Sequence, residues 1–211
     1  MVTAGMIDGL MIVGKIHIAI RAYANCPYKK SLYPQWLFFY VKRYIDTKMI
    51  EALKIRYMKL VRANIQDAEN LWKMQIAAFQ DLYDKYQDSE TSSATETLEK
   101  TITRLEQPFT YYYFIEVEGV NVGAIRVVDT KESGKRKRIS PIFIMKECRG
   151  RGYAQKAIQL AEEIHGSSNW ELDTILQEKG NCHLYEKMGY KQTGEIKVVN
   201  ERMTLVFYRK D

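Results

Sequence analysis

The stretch Arg149-Gly150-Arg151-Gly152-Tyr153-Ala154 decides the fold, because it joins an apolar strand-like run at residues 139–145 to a helical pattern. The two glycines allow a tight turn and a close approach of the backbone to a ligand. The first N–H groups of the following helix point outward with the positive end of the helix dipole, which predicts a pyrophosphate site. Arg149 and Arg151 would add charge-assisted contacts to the phosphate oxygens.

Two other phosphate-binding motifs share this chemistry but do not fit the stretch. A Rossmann fingerprint needs a Gly or Ala three positions after its second Gly, where this chain has Gln155. A Walker loop needs Gly-Lys followed by Ser or Thr, which this turn does not contain. Gly-x-Gly alone also occurs in surface turns before ordinary helices, so the surrounding pattern has to decide.

Strand and helix patterns alternate around the turn. Strand-like runs lie at residues 55–62, 111–117, 122–128, 139–145, 171–176, 190–199 and 203–208. Asn64 followed by Asp67 is a capping-box signal for a first helix, and Asn181 is expected to cap a short helix that stops at Gly189. The helix after the glycine turn should bury a stripe of Ala154, Ala157, Ile158, Ala161 and Ile164. This order predicts an α/β fold with a mixed, mostly antiparallel sheet flanked by helices.

Two motifs together resemble the GNAT superfamily of acetyl-CoA-dependent N-acetyltransferases. Arg149-x-x-Gly152-x-Ala154 is similar to its Gln/Arg-x-x-Gly-x-Gly/Ala signature, which lies between the fourth strand and the third helix. Residues 181–190, Asn-Cys-His-Leu-Tyr-Glu-Lys-Met-Gly-Tyr, resemble its second motif, where an Asn and a Tyr reach the cofactor before a Gly-aromatic pair. The resemblance covers about residues 55–211 and implies acetyl-CoA as the co-substrate.

The resemblance also implies a role for each residue of the site. Phe143 and Ile144 would use backbone groups to hold the acetyl carbonyl and the pantetheine arm at a point where the sheet splays. The segment from Arg149 to Ala154 would cradle the pyrophosphate. Asn181 would bond the pantetheine region, and Tyr185 would lie near the thioester sulfur. Lys146 stands where the family often has a proline.

In this family an amine attacks the thioester directly within a ternary complex. We expect Tyr185 to donate a proton to the departing thiolate and the N–H of Ile144 to meet the developing oxyanion. The general base stays open among five carboxylates, at Glu116, Glu118, Glu171, Asp173 and Glu178. His183, Cys148 and Cys182 receive no catalytic role. Acidic residues near the end of the first helix, namely Asp81, Asp84, Asp88 and Glu90, would suit a cationic amine, although a solvated helix end is the simpler interpretation.

Charge and composition separate the start of the chain from the rest. The first 48 residues hold seven Lys or Arg and two Asp, which accounts for most of the net charge of +6. We therefore expect a basic extension at residues 1–48, functional or not, and an acetyltransferase domain at residues 49–211 that is nearly neutral and does not bind nucleic acid. An acyl-CoA sensor without catalysis is the alternative function for the domain.

Composition also bears on location and on metals. The longest apolar run near the start, residues 9–20, carries Lys15 and His17 and is shorter than the roughly 20 residues of a membrane span. No basic residue precedes it, so a cytoplasmic protein is expected. Three widely spaced cysteines predict neither a disulfide framework nor a metal site. A homodimer is compatible with the sequence.

Overall fold

The computed structural model describes residues 54, 55 and 57–211, so the expected extension at residues 1–48 lies outside the described residues. Within the described residues, seven strands and four complete α-helices follow one another, with short 3-10 turns at Ile65–Asp67 and Lys146–Cys148. In chain order they are β1 (Lys59–Arg62), α1 (Ala68–Tyr86), α2 (Leu98–Glu106), β2 (Thr110–Val117), β3 (Val120–Val128), β4 (Lys137–Ile144), α3 (Tyr153–His165), β5 (Trp170–Ile175), α4 (Lys179–Lys187), β6 (Lys191–Asn200) and β7 (Met203–Lys210).

The strands form one sheet in the order β1-β2-β3-β4-β5-β7-β6. Every neighbouring pair is antiparallel except β4 and β5, which are joined through α3 as a crossover connection requires. The predicted mixed, mostly antiparallel sheet is therefore confirmed.

Helices cover both faces of the sheet because strand residues alternate in direction. On one face, α3 and α4 pack on a large core that includes Ile125, Ile158 and Tyr208. On the other, α1 packs on a smaller cluster that includes Leu71 and Phe143. The two clusters fix the end of β4 from both sides.

The capping box before α1 forms as predicted. The Asn64 side chain accepts the N–H of Gln66 at 2.9 Å, and the Asp67 carboxylate accepts the N–H of Asn64 at 2.9 Å. These bonds satisfy N–H groups that the helix start leaves without intrahelical partners. Leu71, three residues into the helix, is then fully buried.

Three local predictions are wrong. The strand predicted from residue 55 begins at Lys59. Ile164 is 54% exposed, because His165 takes the inward position in the last turn of α3. Asn181 does not cap α4, since Glu178 holds the N-cap position and its carbonyl already accepts the N–H of Asn181 at 2.9 Å.

Candidate active site

The strands β4 and β5 separate soon after they begin to pair. They are paired at Lys137 with Trp170 and at Arg138 with Glu171, and diverge from there toward the end of β4. Pro141, which has no backbone N–H to give to a neighbouring strand, lies within the diverging part. The divergence leaves a gap in the sheet, which agrees with the splayed strands implied by the sequence resemblance.

Two cavities meet at this gap. The first, of about 520 Å³, runs from the glycine turn to α4. The second, of about 200 Å³, lies against β5, β7 and the segment that follows α1. They share five wall residues, namely Phe79, Leu82, Ile142, Asn181 and Tyr185.

The first cavity gathers nine of the ten residues singled out from the sequence. They are Phe143, Ile144, Arg149, Gly150, Gly152, Tyr153, Ala154, Asn181 and Tyr185. The tenth, Arg151, is not among the wall residues, and its guanidinium donates to the carbonyl oxygen of Glu147 at 3.0 Å. The two sequence motifs, about thirty residues apart, thus meet around one space.

The glycine turn has the backbone that its sequence requires. Gly150 and Gly152 have φ angles of 76° and 79°, in the left-handed region that favours glycine. No atom lies within 4 Å of the position a Cβ on Gly150 would take, so the backbone faces open space there. The first N–H groups of α3 lack intrahelical partners, and the turn therefore fits a phosphate group.

The end of β4 turns the backbone of Ile144 toward the gap. The N–H of Met145 donates to Val122 at 2.8 Å, which makes Gly123 and Ile144 a non-hydrogen-bonded pair. In such a pair the N–H and C=O groups point away from the partner strand, here away from β3. The N–H of Ile144 is thus directed away from β3, toward the gap between β4 and β5.

Tyr185 is buried between the two cavities. The residue is 7% exposed, and its ring packs against those of Tyr190 and Tyr208, with ring centroids 6.2 and 6.0 Å apart. Burial, with smaller effects of Asp173 and Cys182, raises the pKa of Tyr185 above its usual value. The phenol is therefore protonated, and a hydrogen-bond donor, throughout the neutral pH range.

The structure divides the five candidate bases. Glu116 pairs with Lys59 at 2.8 Å and Glu118 with Lys54 at 4.0 Å, and neither carboxylate borders either cavity. Glu178 borders the first cavity, but its carboxylate accepts the Lys85 ammonium at 2.7 Å and the Tyr86 hydroxyl at 2.6 Å. These two bonds hold the pKa of Glu178 below its usual value.

Asp173 lies on the wall of the second cavity with Tyr185 and is held by the guanidinium of Arg138. Glu171, the fifth candidate, lies 3.8 Å from the same guanidinium but is not among the wall residues. The negative charge of Asp173 also contributes to the raised pKa of Tyr185, as the second cause after burial.

The acidic residues near the end of α1 have different fates. Asp81 pairs with Lys146 and Arg149, and Asp84 accepts from Gln80 at 2.7 Å. Asp88 is 4% exposed, borders the second cavity and accepts backbone N–H groups of its own turn. Of the four predicted acidic residues, all of which the structure describes, Asp88 is the one that lies on a cavity wall.

Several wall residues were missed by sequence reasoning. Phe79 and Leu82 of α1 belong to both cavities, while Met203 and Leu205 of β7 belong to the second. No motif in the sequence marks any of these four residues. Their apolar character is typical of core residues, so only the tertiary structure distinguishes them.

Within residues 54, 55 and 57–211, no cluster of His, Cys, Asp and Glu suits a metal ion. A search of that same range for a helix long and apolar enough to cross a membrane finds none.

Comparison with known proteins identifies the family. The model of the acetyltransferase (GNAT) family matches residues 76–190, which is more than half of the chain. The chain belongs to this family. It is accordingly an acetyl-CoA-dependent N-acetyltransferase, with acetyl-CoA as its co-substrate. No curated protein sequence matches the chain significantly.

Solved structures agree with this GNAT fold at low sequence identity. Spermidine N-acetyltransferase from Vibrio cholerae, in complex with CoA and spermine, is 15% identical, with a TM-score of 0.58, over 72% of this chain and 94% of that one. The microcin C7 self-immunity acetyltransferase, in complex with acetyl-CoA and AMP, is 14% identical, with a TM-score of 0.55, over 72% and 91%. A ribosomal L7/L12 α-N-protein acetyltransferase, in complex with CoA, is 12% identical, with a TM-score of 0.57, over 72% and 92%.

Proposed function

We propose that this GNAT enzyme transfers an acetyl group from acetyl-CoA to a primary amine of a small molecule or peptide by direct attack in a ternary complex. The cofactor occupies the first cavity, called here the cofactor cavity, with its pyrophosphate on residues 149–154. The amine occupies the second, called here the acceptor cavity. Asn181, on the wall of both, bonds the pantetheine arm.

The meeting of the two cavities at Tyr185 carries this proposal. A thioester held at the end of β4 and an amine entering beside β5 would approach each other at the gap between these strands. Direct attack requires the two reactants within contact distance, and the five wall residues common to both cavities support such an arrangement, which needs no acyl-enzyme intermediate.

Each step has a candidate group. The ammonium form of the amine gives a proton to Asp173, directly or through water, and the free amine attacks the thioester carbon. The N–H of Ile144 donates to the oxygen as negative charge develops there. When the C–S bond breaks, the Tyr185 phenol donates its proton to the thiolate. The nitrogen gives up its second proton, which returns to the Tyr185 oxygen through water, and Asp173 releases its proton to solvent. The products are the acetylated amine and CoA with a free thiol.

The walls of the acceptor cavity favour a compact amine with an apolar body. Carboxylates at Asp88 and Asp173 suit a cationic amine, whereas Met203 and Leu205 offer apolar contact. Two enzymes of the same fold, a spermidine N-acetyltransferase and a ribosomal protein α-N-acetyltransferase, also acetylate amines. Because both have low sequence identity to this chain, neither indicates whether its acceptor is a polyamine or a peptide.

The test is release of CoA thiol from acetyl-CoA over a panel of polyamines, amino acid amides and peptides with free α-amino groups. We expect thiol release that requires an amine, together with direct binding of acetyl-CoA by calorimetry. Binding of acetyl-CoA without thiol release from any amine would instead support the acyl-CoA sensor. Absence of binding would reject both functions.

A further inference from the structure

The guanidinium of Arg149 is held by protein groups from two different elements. Nε donates to the carbonyl oxygen of Ile144 at 3.1 Å, and Nη2 donates to that of Ala78 in α1 at 2.7 Å. Nη1 lies 3.5 Å from the carboxylate of Asp81, one turn further along α1. Lys146 adds a second link to Asp81 at 3.2 Å. The side chain therefore connects the glycine turn to the end of β4 and to α1.

Helix α1 forms part of both cavities. Ala78, Phe79 and Leu82 border the cofactor cavity, and the last two also border the acceptor cavity. Phe79 packs edge-on against Phe143 with ring centroids 5.8 Å apart. A shift of the middle of α1 would therefore change the shape of both cavities at once.

The two ends of α1 are attached elsewhere. Near its start, the indole N–H of Trp72 donates to the carbonyl oxygen of Glu96 at 2.7 Å. At its end, the Tyr86 hydroxyl donates to Glu178 at 2.6 Å, and the Asn200 amide donates to the Tyr86 carbonyl oxygen at 3.1 Å. Arg149 contacts the helical turn of α1 between these two attached ends, and this turn contributes residues of α1 that line the cavities.

We propose that Arg149 is a positioning residue, which together with Asp81 couples the glycine turn to α1. When the pyrophosphate of acetyl-CoA orders residues 149–154, Arg149 holds α1 in the position that completes the acceptor cavity. This inference rests on the proposed function, since it assigns the turn to the cofactor.

The geometry explains why arginine is suited to this position. A guanidinium presents five donors in a planar fork, so it reaches two carbonyl oxygens and a carboxylate at once, whereas the ammonium of lysine is a compact point charge. Arg151, two residues later, donates instead to Glu147 beside its own turn. Of the two arginines, Arg149 is the one with described bonds to the end of β4 and to α1.

Hydrogen exchange of α1 with and without saturating acetyl-CoA tests the coupling. Peptides covering residues 75–86 are followed in the wild type and in Arg149→Met, with Arg151→Met as a control that removes the same charge from the same turn. We expect acetyl-CoA to slow exchange of these amides about tenfold in the wild type and in Arg151→Met, and about threefold or less in Arg149→Met. Arg151→Met needs more cofactor to reach saturation.

A second variant keeps the test informative if Arg149→Met does not fold. Asp81→Asn keeps the bonds to the two carbonyl oxygens and removes the ionic link, so we expect an intermediate loss of protection. The coupling is overturned if acetyl-CoA binds the wild type without slowing exchange in α1. It is also overturned if Arg149→Met binds more weakly yet shows full protection at saturation, which would make Arg149 a phosphate ligand only. Failure of the wild type to bind acetyl-CoA at all would reject the proposed function instead.

Discussion

A Cβ atom placed on Gly123 would lie 2.2 Å from the carbonyl oxygen of Phe143. The two strands that hold these residues therefore approach too closely for any larger residue, at the point where β4 presents Ile144 to the gap. Gly123 has no positive φ angle, so space alone requires glycine here.

Gly123→Ala should push the end of β4 away from β3. We expect a loss of about 1–3 kcal/mol in the free energy of unfolding, as for other overpacked sites, and weaker binding of acetyl-CoA because Phe143 and Ile144 move. Denaturant unfolding and calorimetry measure the two effects. An alanine variant as stable as the wild type, with unchanged cofactor affinity, would show that β4 does not need this contact.

The glycine turn offers a comparison of two glycines with the same backbone angle. Gly152 and Gly134 both have φ of 79°, but Gly134 lies in the loop between β3 and β4 and outside both cavity walls. Alanine at either position should lower the free energy of unfolding by about 1 kcal/mol, through backbone strain. We expect only Gly152→Ala to weaken acetyl-CoA binding as well, by at least about tenfold, or 1.4 kcal/mol. Equal cofactor affinity of the two variants would separate the pyrophosphate from this turn.

Asp173 and Glu171 give a matched pair on β5. Both lie near Arg138, and only Asp173 borders the acceptor cavity. Asp173→Asn should lower kcat/KM for the amine by about 10²-fold, the lower end of the usual contribution of acid–base groups, with an unchanged dissociation constant for acetyl-CoA. Glu171→Gln should change neither. If the two variants have the same kcat/KM, Asp173 does not receive the proton of the amine.

A buried histidine makes stability depend on pH. His165 contacts the Tyr113 hydroxyl at 3.0 Å through Nε2 and Asp129 at 3.1 Å through Nδ1, so the neutral ring with its proton on Nδ1 satisfies both. Burial lowers the pKa of His165, although the bond to Asp129 opposes this. Lys131 and Lys137, which also face the group, further disfavour its charge.

Because the unfolded chain takes up a proton near pH 6.5 that the folded chain does not, the contribution of His165 is complete above this pH and is lost as the pH falls below it. We expect the free energy of unfolding to decrease between pH 7 and 5 with a slope of at most about 1.4 kcal/mol per pH unit from this residue. His165→Gln should be less stable at pH 7, and its free energy of unfolding should change less between pH 7 and 5 than that of the wild type. A steeper or equal slope in His165→Gln would contradict this assignment.

Local rules were sufficient where a structure depends on neighbouring residues. The positive φ angles of Gly150 and Gly152 and the capping box of Asn64 follow from residue types a few positions apart. Most of the wall of the first cavity that comes from residues 149–154 and 181–185 was therefore predictable, because it is built from two short motifs.

Contacts between distant segments were not predictable in this way. Arg149 and Ala78 are 71 residues apart, and nothing in either segment marks their hydrogen bond. The acceptor cavity likewise combines α1, β5 and β7, whose wall residues have the apolar character of an ordinary core. His165, and not Ile164, points inward because its ring bonds to Asp129 and Tyr113. The sheet places these two residues opposite α3, so the sequence around His165 does not reveal the contact.

The measurement that tests the proposed mechanism most directly is steady-state turnover of Tyr185→Phe, alongside calorimetric titration of acetyl-CoA on the same preparation. The substitution keeps the buried ring and its packing and removes the proton donor at the point where the two cavities meet. Tyr190→Phe is the control, since its hydroxyl bonds to Glu162 at 3.1 Å and borders neither cavity. We expect kcat to fall by about 10²- to 10⁴-fold in Tyr185→Phe, with little change in the dissociation constant of acetyl-CoA, and kcat to stay near the wild-type value in Tyr190→Phe. Full turnover by Tyr185→Phe, or a loss of turnover that only matches a loss of binding, would contradict the role of Tyr185 as the proton donor.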